Sequence, residues 1–160
     1  MKSTASLDRR AALAGLAAIG ALTAYRRAEA QRYPVRMTDA EWRKKLGDAS
    51  WRVLRHEATE PPFSSPLDRE KRKGTFLCKG CANPLYSSTT KFDSGTGWPS
   101  FWRPLPNAIG TKTDFSIGLP RTEVHCARCG GHLGHVFDDG PPPTGKRYCM
   151  NGLAMTFRPA

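Results

Sequence analysis

Four of the five cysteines in this 160-residue chain form two Cys-x-x-Cys pairs, Cys78/Cys81 and Cys126/Cys129, and no other feature constrains the fold as strongly. Each pair makes a tight knuckle that presents two thiolates, and two knuckles supply the four sulfur ligands of a tetrahedral zinc ion. The pairs lie far apart in sequence and meet only on folding. The ion therefore joins two distant hairpins and supplies on the order of 10 kcal/mol in a small domain. Four thiolates leave no open coordination position, so one structural Zn(2+) is expected. The fifth cysteine, Cys149, stands alone in Arg147-Tyr148-Cys149-Met150-Asn151 and has no partner for an internal disulfide. A lone cysteine is a candidate nucleophile, but one buried cysteine is also a common apolar filler. Its surroundings must decide.

The length suits one domain with a core of its own. With 39% hydrophobic residues, 15 Gly and 13 Pro, the chain reads as loop-rich and mainly β rather than as a helical bundle. The net charge of +11 could attract nucleic acid or anionic lipid, but the basic residues are scattered. Their densest cluster, Arg69, Lys71, Arg72 and Lys73, sits in a Pro/Ser-rich lead-in and reads as solvated surface. No nucleic-acid partner is expected.

The N-terminus reads as an export signal. Arg9-Arg10 precedes an uncharged Ala/Leu-rich stretch, Ala11–Ala24, and then Ala28-Glu29-Ala30, the small-x-small pattern of a signal-peptidase site. The apolar stretch is too short to anchor the protein in a bilayer. The paired arginines resemble a twin-arginine signal, although Ala11-Ala12-Leu13 matches loosely. Residues 1–30 are thus expected to be removed, leaving a periplasmic or otherwise exported domain of residues 31–160. A route that carries folded proteins would let zinc load before the thiolates meet an oxidising compartment.

In the remaining chain Thr38-x-x-Glu41 is a capping box, with Trp42 and Leu46 on one face of a helix that Gly47 should end. Trp51 and Leu54 mark a second helical turn, closed by Glu60-Pro61-Pro62; together these make a short N-terminal arm. From Gly74 the pattern changes to short β-like runs: Thr75–Cys78, Pro84–Ser87, Thr113–Ile117, Thr122–His125, His132–Phe137 and Leu153–Phe157.

Three segments stand out chemically. Phe92-Asp93-Ser94-Gly95-Thr96-Gly97-Trp98-Pro99-Ser100-Phe101 suits a loop that presents Trp98 to a ligand. His132-Leu133-Gly134-His135-Val136-Phe137-Asp138-Asp139 holds two histidines. They could ligate metal, but the four thiolates already complete a tetrahedron. On a strand, Arg147, Cys149 and Asn151 share one face, and a cation beside the thiol is expected to lower its pKa and raise the thiolate fraction.

These segments, with both Cys-x-x-Cys pairs in order, resemble the methionine-R-sulfoxide reductases, the B-type family, from about Met37 to Phe157. The resemblance implies two antiparallel sheets in a small barrel-like (β-tent) fold, a structural zinc, and reduction of the R epimer of methionine sulfoxide. By motif, Cys149 corresponds to the nucleophile. His132, His135 and Asn151 match the polar pocket, and Trp98 matches the ring that receives the substrate methyl. Arg147 matches the basic residue two before the nucleophile, while Phe137 and Asp139 would line the site. Many members carry a resolving cysteine where this chain has Thr96, so the internal disulfide route is closed here. The implied partners are oxidised proteins or peptides and a thioredoxin-like or small-thiol reductant, with the enzyme acting as a monomer. A zinc-ribbon binding module is the rival reading. It uses the same four cysteines but leaves Trp98, the histidines and the Arg-Cys-Asn face unexplained.

Overall fold

The computed structural model describes residues 33–160. The expected export signal, with Arg9-Arg10, Ala11–Ala24 and Ala28-Glu29-Ala30, lies outside the described residues. Helix α1, Asp39–His56, starts at the expected capping box: the Thr38 side chain accepts from the Glu41 N–H while the Glu41 carboxylate accepts from the Thr38 N–H. Gly47 has φ 73° and ψ 161°, so the expected break is present and two helical runs meet at it. The apolar side chains Trp42, Leu46, Val53 and Leu54 are buried. Glu57, in the left-handed region at φ 55°, closes the helix, with the Ala58 N–H on the Arg52 carbonyl.

Nine strands follow. β1 (Gly74–Cys78), β2 (Pro84–Ser87) and β9 (Met155–Pro159) form a three-stranded sheet in the order β2-β1-β9. The other six are β3 (Lys91–Phe92), β4 (Ser100–Phe101), β5 (Ile109–Asp114), β6 (Arg121–Cys126), β7 (His132–Phe137) and β8 (Arg147–Met150), in the order β3-β4-β8-β7-β6-β5. All pairings are antiparallel. The two antiparallel sheets match expectation, but each keeps open edges and they do not close into a barrel.

Aromatic packing joins the sheets. Phe101 of β4 stacks on Tyr86 of β2, with centroids 4.3 Å apart, and meets Phe76 of β1 edge-on at 4.9 Å. The Tyr86 hydroxyl, buried with its ring, donates to the Met150 sulfur at 3.2 Å. Such ring pairs add about 0.5–1.5 kcal/mol each beyond their area burial. Among the described residues no helix is long and apolar enough to cross a membrane.

Two strand expectations shift. The apolar alternation at Thr113–Ile117 predicts a strand, but β5 ends at Asp114 and Phe115 opens a turn. The C-terminal strand begins at Met155 rather than Leu153, because Gly152–Ala154 forms one 3-10 turn.

Candidate active site and metal centre

The two knuckles bring their sulfurs together. The Sγ atoms of Cys78, Cys81, Cys126 and Cys129 all lie within 4.8 Å of one another, with Cys78 to Cys129 at 3.6 Å and Cys81 to Cys126 at 3.5 Å. Cys78 ends β1 and Cys126 ends β6, so the cluster sits between the sheets. Each knuckle closes on a backbone bond, Ala82 N–H to Cys78 O and Gly130 N–H to Cys126 O. The Asn83 amide also approaches the Cys126 sulfur at 3.6 Å, a donor that would favour its thiolate. Four clustered thiols are a donor set suited to one tetrahedral metal ion.

The second constellation is a line drawn across strands. Cα partners run from Glu123 on β6 to His135 on β7, from His135 to Cys149 on β8, and from Cys149 to Ser100 on β4. Directly opposed residues share a face, so four strands each contribute one polar side chain to one row. One step along, Phe137 pairs with Arg147, whose guanidinium lies 4.5 Å from the ring centroid. His132 and His135 are three residues apart, which on a flat strand puts them on opposite faces. A register shift between Val124 and His125 places His125 opposite His132 while Val124 stays opposite Gly134. That bulge adds one residue to β7 and brings the two imidazole rings to 5.4 Å, edge to face.

A cavity of about 160 Å³ opens over this row, lined by Thr59, Trp98, Arg121, Gly134, His135, Phe137, Cys149 and Asn151. Three larger surface depressions, of about 700 to 730 Å³, are lined by none of the predicted site residues. Trp98, His135, Phe137, Cys149 and Asn151 are therefore gathered at one place. His132, Asp139 and Arg147 are not in the wall. His132 is buried, its Nδ1 at 2.7 Å from Glu123 Oε1, and its Nε2 has no partner. Asp139 instead takes two hydrogen bonds from Arg147, at 2.8 and 2.9 Å, and so holds the guanidinium in place. Asn151 reaches the wall with its amide committed: Oδ1 accepts from the Glu60 N–H at 2.9 Å and Nδ2 donates to the Leu133 carbonyl at 3.2 Å.

The electrostatics correct one expectation. Burial pushes the Cys149 thiol above its ordinary value of 9.0, and the opposing pull of the Thr96 hydroxyl, Arg147 and Ser100 does not offset it. In this structure Cys149 is a protonated thiol at neutral pH, not the thiolate that its cationic neighbour implied. Burial also lowers His135, against the pull of Asp114. The Asp114 carboxyl sits far below its usual range, held first by the Ser116 N–H and then by His135. Asp114 is thus ionised and must accept from His135 Nε2 at 2.7 Å, which leaves Nδ1 of a neutral ring as the basic nitrogen.

Four supporting residues escaped the reading of the sequence. Glu60, taken only as part of a helix-closing segment, accepts on its side chain from the N–H groups of Gly152 and Leu153, and its carbonyl accepts from Trp98 Nε1 at 3.1 Å. It thereby fixes both Trp98 and the turn after Asn151. Glu123 sits inside the run Thr122–His125, read only as a strand. Burial alone would raise its carboxyl, but hydrogen bonds with His125 and His132 bring it down to about 2. Asp114 and Arg121, joined at 2.6 Å, close the β5–β6 pair beside the cavity. An acidic residue buried between histidines has no periodic signature, so no sequence signal could have found Glu123.

Thr96 lies in the Gly-rich loop with its hydroxyl 3.9 Å from the Cys149 sulfur. Ser94 links it to Ser100, with 2.8 Å on either side. Ser100 donates to the Trp98 carbonyl at 3.1 Å, so a short chain of hydroxyls flanks the thiol.

Comparison with known proteins adds a family to this geometry. A model of the SelR domain matches residues 46–159. A protein of Agrobacterium fabrum called peptide methionine sulfoxide reductase MsrB is 50% identical over 126 residues, covering 78% of this chain and 93% of its own length. Proteins of the same name from Leptospira interrogans and Pseudomonas putida are 46% and 52% identical over 127 and 120 residues. They cover 79% and 74% of this chain, and 97% and 90% of their own lengths.

Proposed function

The chain belongs to the SelR-domain family and is a peptide methionine sulfoxide reductase, an oxidoreductase, and from that premise we propose that it reduces the R epimer through Cys149. The observation that carries the reading is the Cys149 thiol in the cavity wall, in register with His135 and beside Trp98.

The chemistry needs a thiolate at sulfur and a proton on the departing oxygen. His135 Nδ1 takes the Cys149 proton as the thiol meets substrate, with Asp114 holding Nε2 and stabilising the imidazolium that forms. The Cys149 sulfur attacks the sulfoxide sulfur and His135 returns the proton to oxygen. The S–O bond and the newly formed S–S bond then break as hydroxyl passes to the cysteine sulfur. The substrate sulfur gains two electrons and becomes a thioether, while the Cys149 sulfur loses two and becomes a sulfenic acid. Trp98 and Phe137 supply apolar walls for the methyl, and the contrast between these walls and the polar row selects the epimer. Arg147 stabilises charge near the sulfur. His132, braced by Glu123, buttresses His135 from behind.

Regeneration is external. One thiol of a thioredoxin-like protein or small molecule displaces water from the sulfenic acid to form a mixed disulfide, and a second thiol releases Cys149. Thr96 has no sulfur with which to do this internally. The four clustered cysteines hold one structural Zn(2+), outside the reaction. Export by the Arg9-Arg10 signal, with cleavage after Ala30, belongs to the same reading, and N-terminal sequencing of exported protein should begin at Gln31.

The deciding experiment is an assay on separated R and S epimers of a methionine sulfoxide with a dithiol reductant. Turnover of R alone is expected. Equal turnover of both, or of S alone, would refute the epimer assignment.

A further inference from the structure

Loops ordinarily turn their polar side chains outward, and the hairpin between β5 and β6 does the reverse. The Asp114 carboxylate accepts from the Ser116 N–H at 2.8 Å, and Arg121 donates to both Asp114 and the Ser116 hydroxyl, at 2.6 and 3.2 Å. The Gly118 N–H closes the turn on the Phe115 carbonyl at 3.0 Å, and its φ of 80° is one that glycine adopts without strain. The polar groups are thus spent inside the turn. Phe115, Ile117 and Leu119 are left 66%, 62% and 67% exposed. Three large apolar side chains at alternate positions are thus displayed by a turn built from polar bonds, an exposure from which a monomer gains nothing.

Both feet of the hairpin stand at the catalytic cavity. Arg121 lines that cavity, and Asp114, at the other foot of the hairpin, holds His135. Leu119 is two residues from Arg121, a reach of about 7 Å along the chain. The cavity itself, about 160 Å³, is smaller than the roughly 300–1,000 Å³ of sites that enclose a whole small molecule. It admits one side chain. The backbone and flanking residues of a peptide substrate must then lie outside it, on the rim where the hairpin stands. Methionine is a core residue in most proteins, so its sequence neighbours are commonly apolar and become available when oxidation loosens the fold.

We propose that the apolar hairpin tip formed by Phe115, Ile117 and Leu119 is the docking surface for the extended apolar polypeptide flanking the oxidised methionine. The proposal rests on the active-site reading above. It deepens that reading by assigning the surface that holds the chain on either side of the reacting side chain.

The test compares wild type with Phe115→Ser/Ile117→Ser/Leu119→Ser on two R-sulfoxide substrates, N-acetylmethionine sulfoxide and an unfolded peptide with apolar residues around the sulfoxide, using dithiothreitol. For the peptide, kcat/KM should fall about tenfold, chiefly through KM, which corresponds to about 1.4 kcal/mol of lost binding. The small substrate should be reduced at an unchanged rate. An equal fall on both substrates, or no fall on the peptide, overturns docking. So does loss of wild-type binding to phosphatidylglycerol vesicles, or of self-association by light scattering, with peptide kinetics unchanged; these outcomes assign the patch to lipid or to a second copy. Should the triple variant misfold, Leu119→Ser alone carries the same comparison. Wild-type inactivity on both substrates would instead overturn the functional reading, and docking with it.

Discussion

At Cys149 burial outweighs three polar neighbours, and that balance can be measured. The thiol stands above 9.0, so its alkylation by iodoacetamide should keep accelerating as pH rises past 9.0. A plateau reached near pH 7 would mean that Arg147 and Thr96 dominate after all. Cys149→Ser should abolish turnover and keep the fold, since the change is small and leaves the four clustered cysteines untouched; substantial residual activity would remove Cys149 from the mechanism. Thr96 offers the converse test. Its hydroxyl is 3.9 Å from the Cys149 sulfur, close enough that the Thr96→Cys variant, after reducing one equivalent of substrate, should lose water from its sulfenic acid and close an internal disulfide. The wild type should give a dimedone-trapped sulfenic adduct under the same conditions, and mass spectrometry separates the two. Much of this chemistry was legible as residue types: the lone Cys149, Asn151 two positions on and the Trp98 loop all arrive at one cavity. Asp114 and Glu60 were not legible, because their partners His135 and Trp98 are distant in sequence and nothing local marks them.

At the scale of the element, the strands that bear the site are defined by close approach as much as by pattern. A Cβ added at Gly134 on β7 would stand 2.1 Å from the Cys149 carbonyl oxygen and 3.0 Å from Met150 Cα. Gly134→Ala must therefore push β7 from β8, with a cost on the order of 1–3 kcal/mol for overpacking. Activity should fall further than stability, because the same displacement parts His135 from Cys149; a variant with full activity and lowered stability would show the row to be more tolerant. The sequence pattern placed β1, β2, β6 and β7 within a residue or so at each end. It missed β3 and β4, because two residues carry no period. It placed β5 too late, since Phe115 and Ile117 alternate like a half-buried strand and in fact alternate on an exposed turn. The bulge that turns His132 towards His135 was equally invisible, being a property of pairing rather than of either strand.

For the whole molecule the four-cysteine cluster is the tie between sheets, and its loss should be felt globally. Cys126→Ser should lower metal content and melting temperature together, measured by elemental analysis and calorimetry on the same sample. Purified protein without zinc, folded and indifferent to chelators, would refute the assignment. Both sheets were implied by the family resemblance, yet their failure to close into a barrel was not, because closure depends on which strands stay at the edges. The cluster has a further consequence in terms of chain topology. Cys81 and Cys126 are 45 positions apart, and an ion gripping both turns the intervening chain into a closed ring. Closing a ring of that size removes on the order of 3 kcal/mol of conformational entropy from the unfolded state. Thr96, Trp98 and Ser100 lie on the ring, whereas His135 and Cys149 lie on the open tail beyond it. Stripping the ion therefore frees the half of the cavity that receives substrate before it frees the half that reacts. A chelated protein should keep an alkylatable Cys149 while losing saturation by substrate.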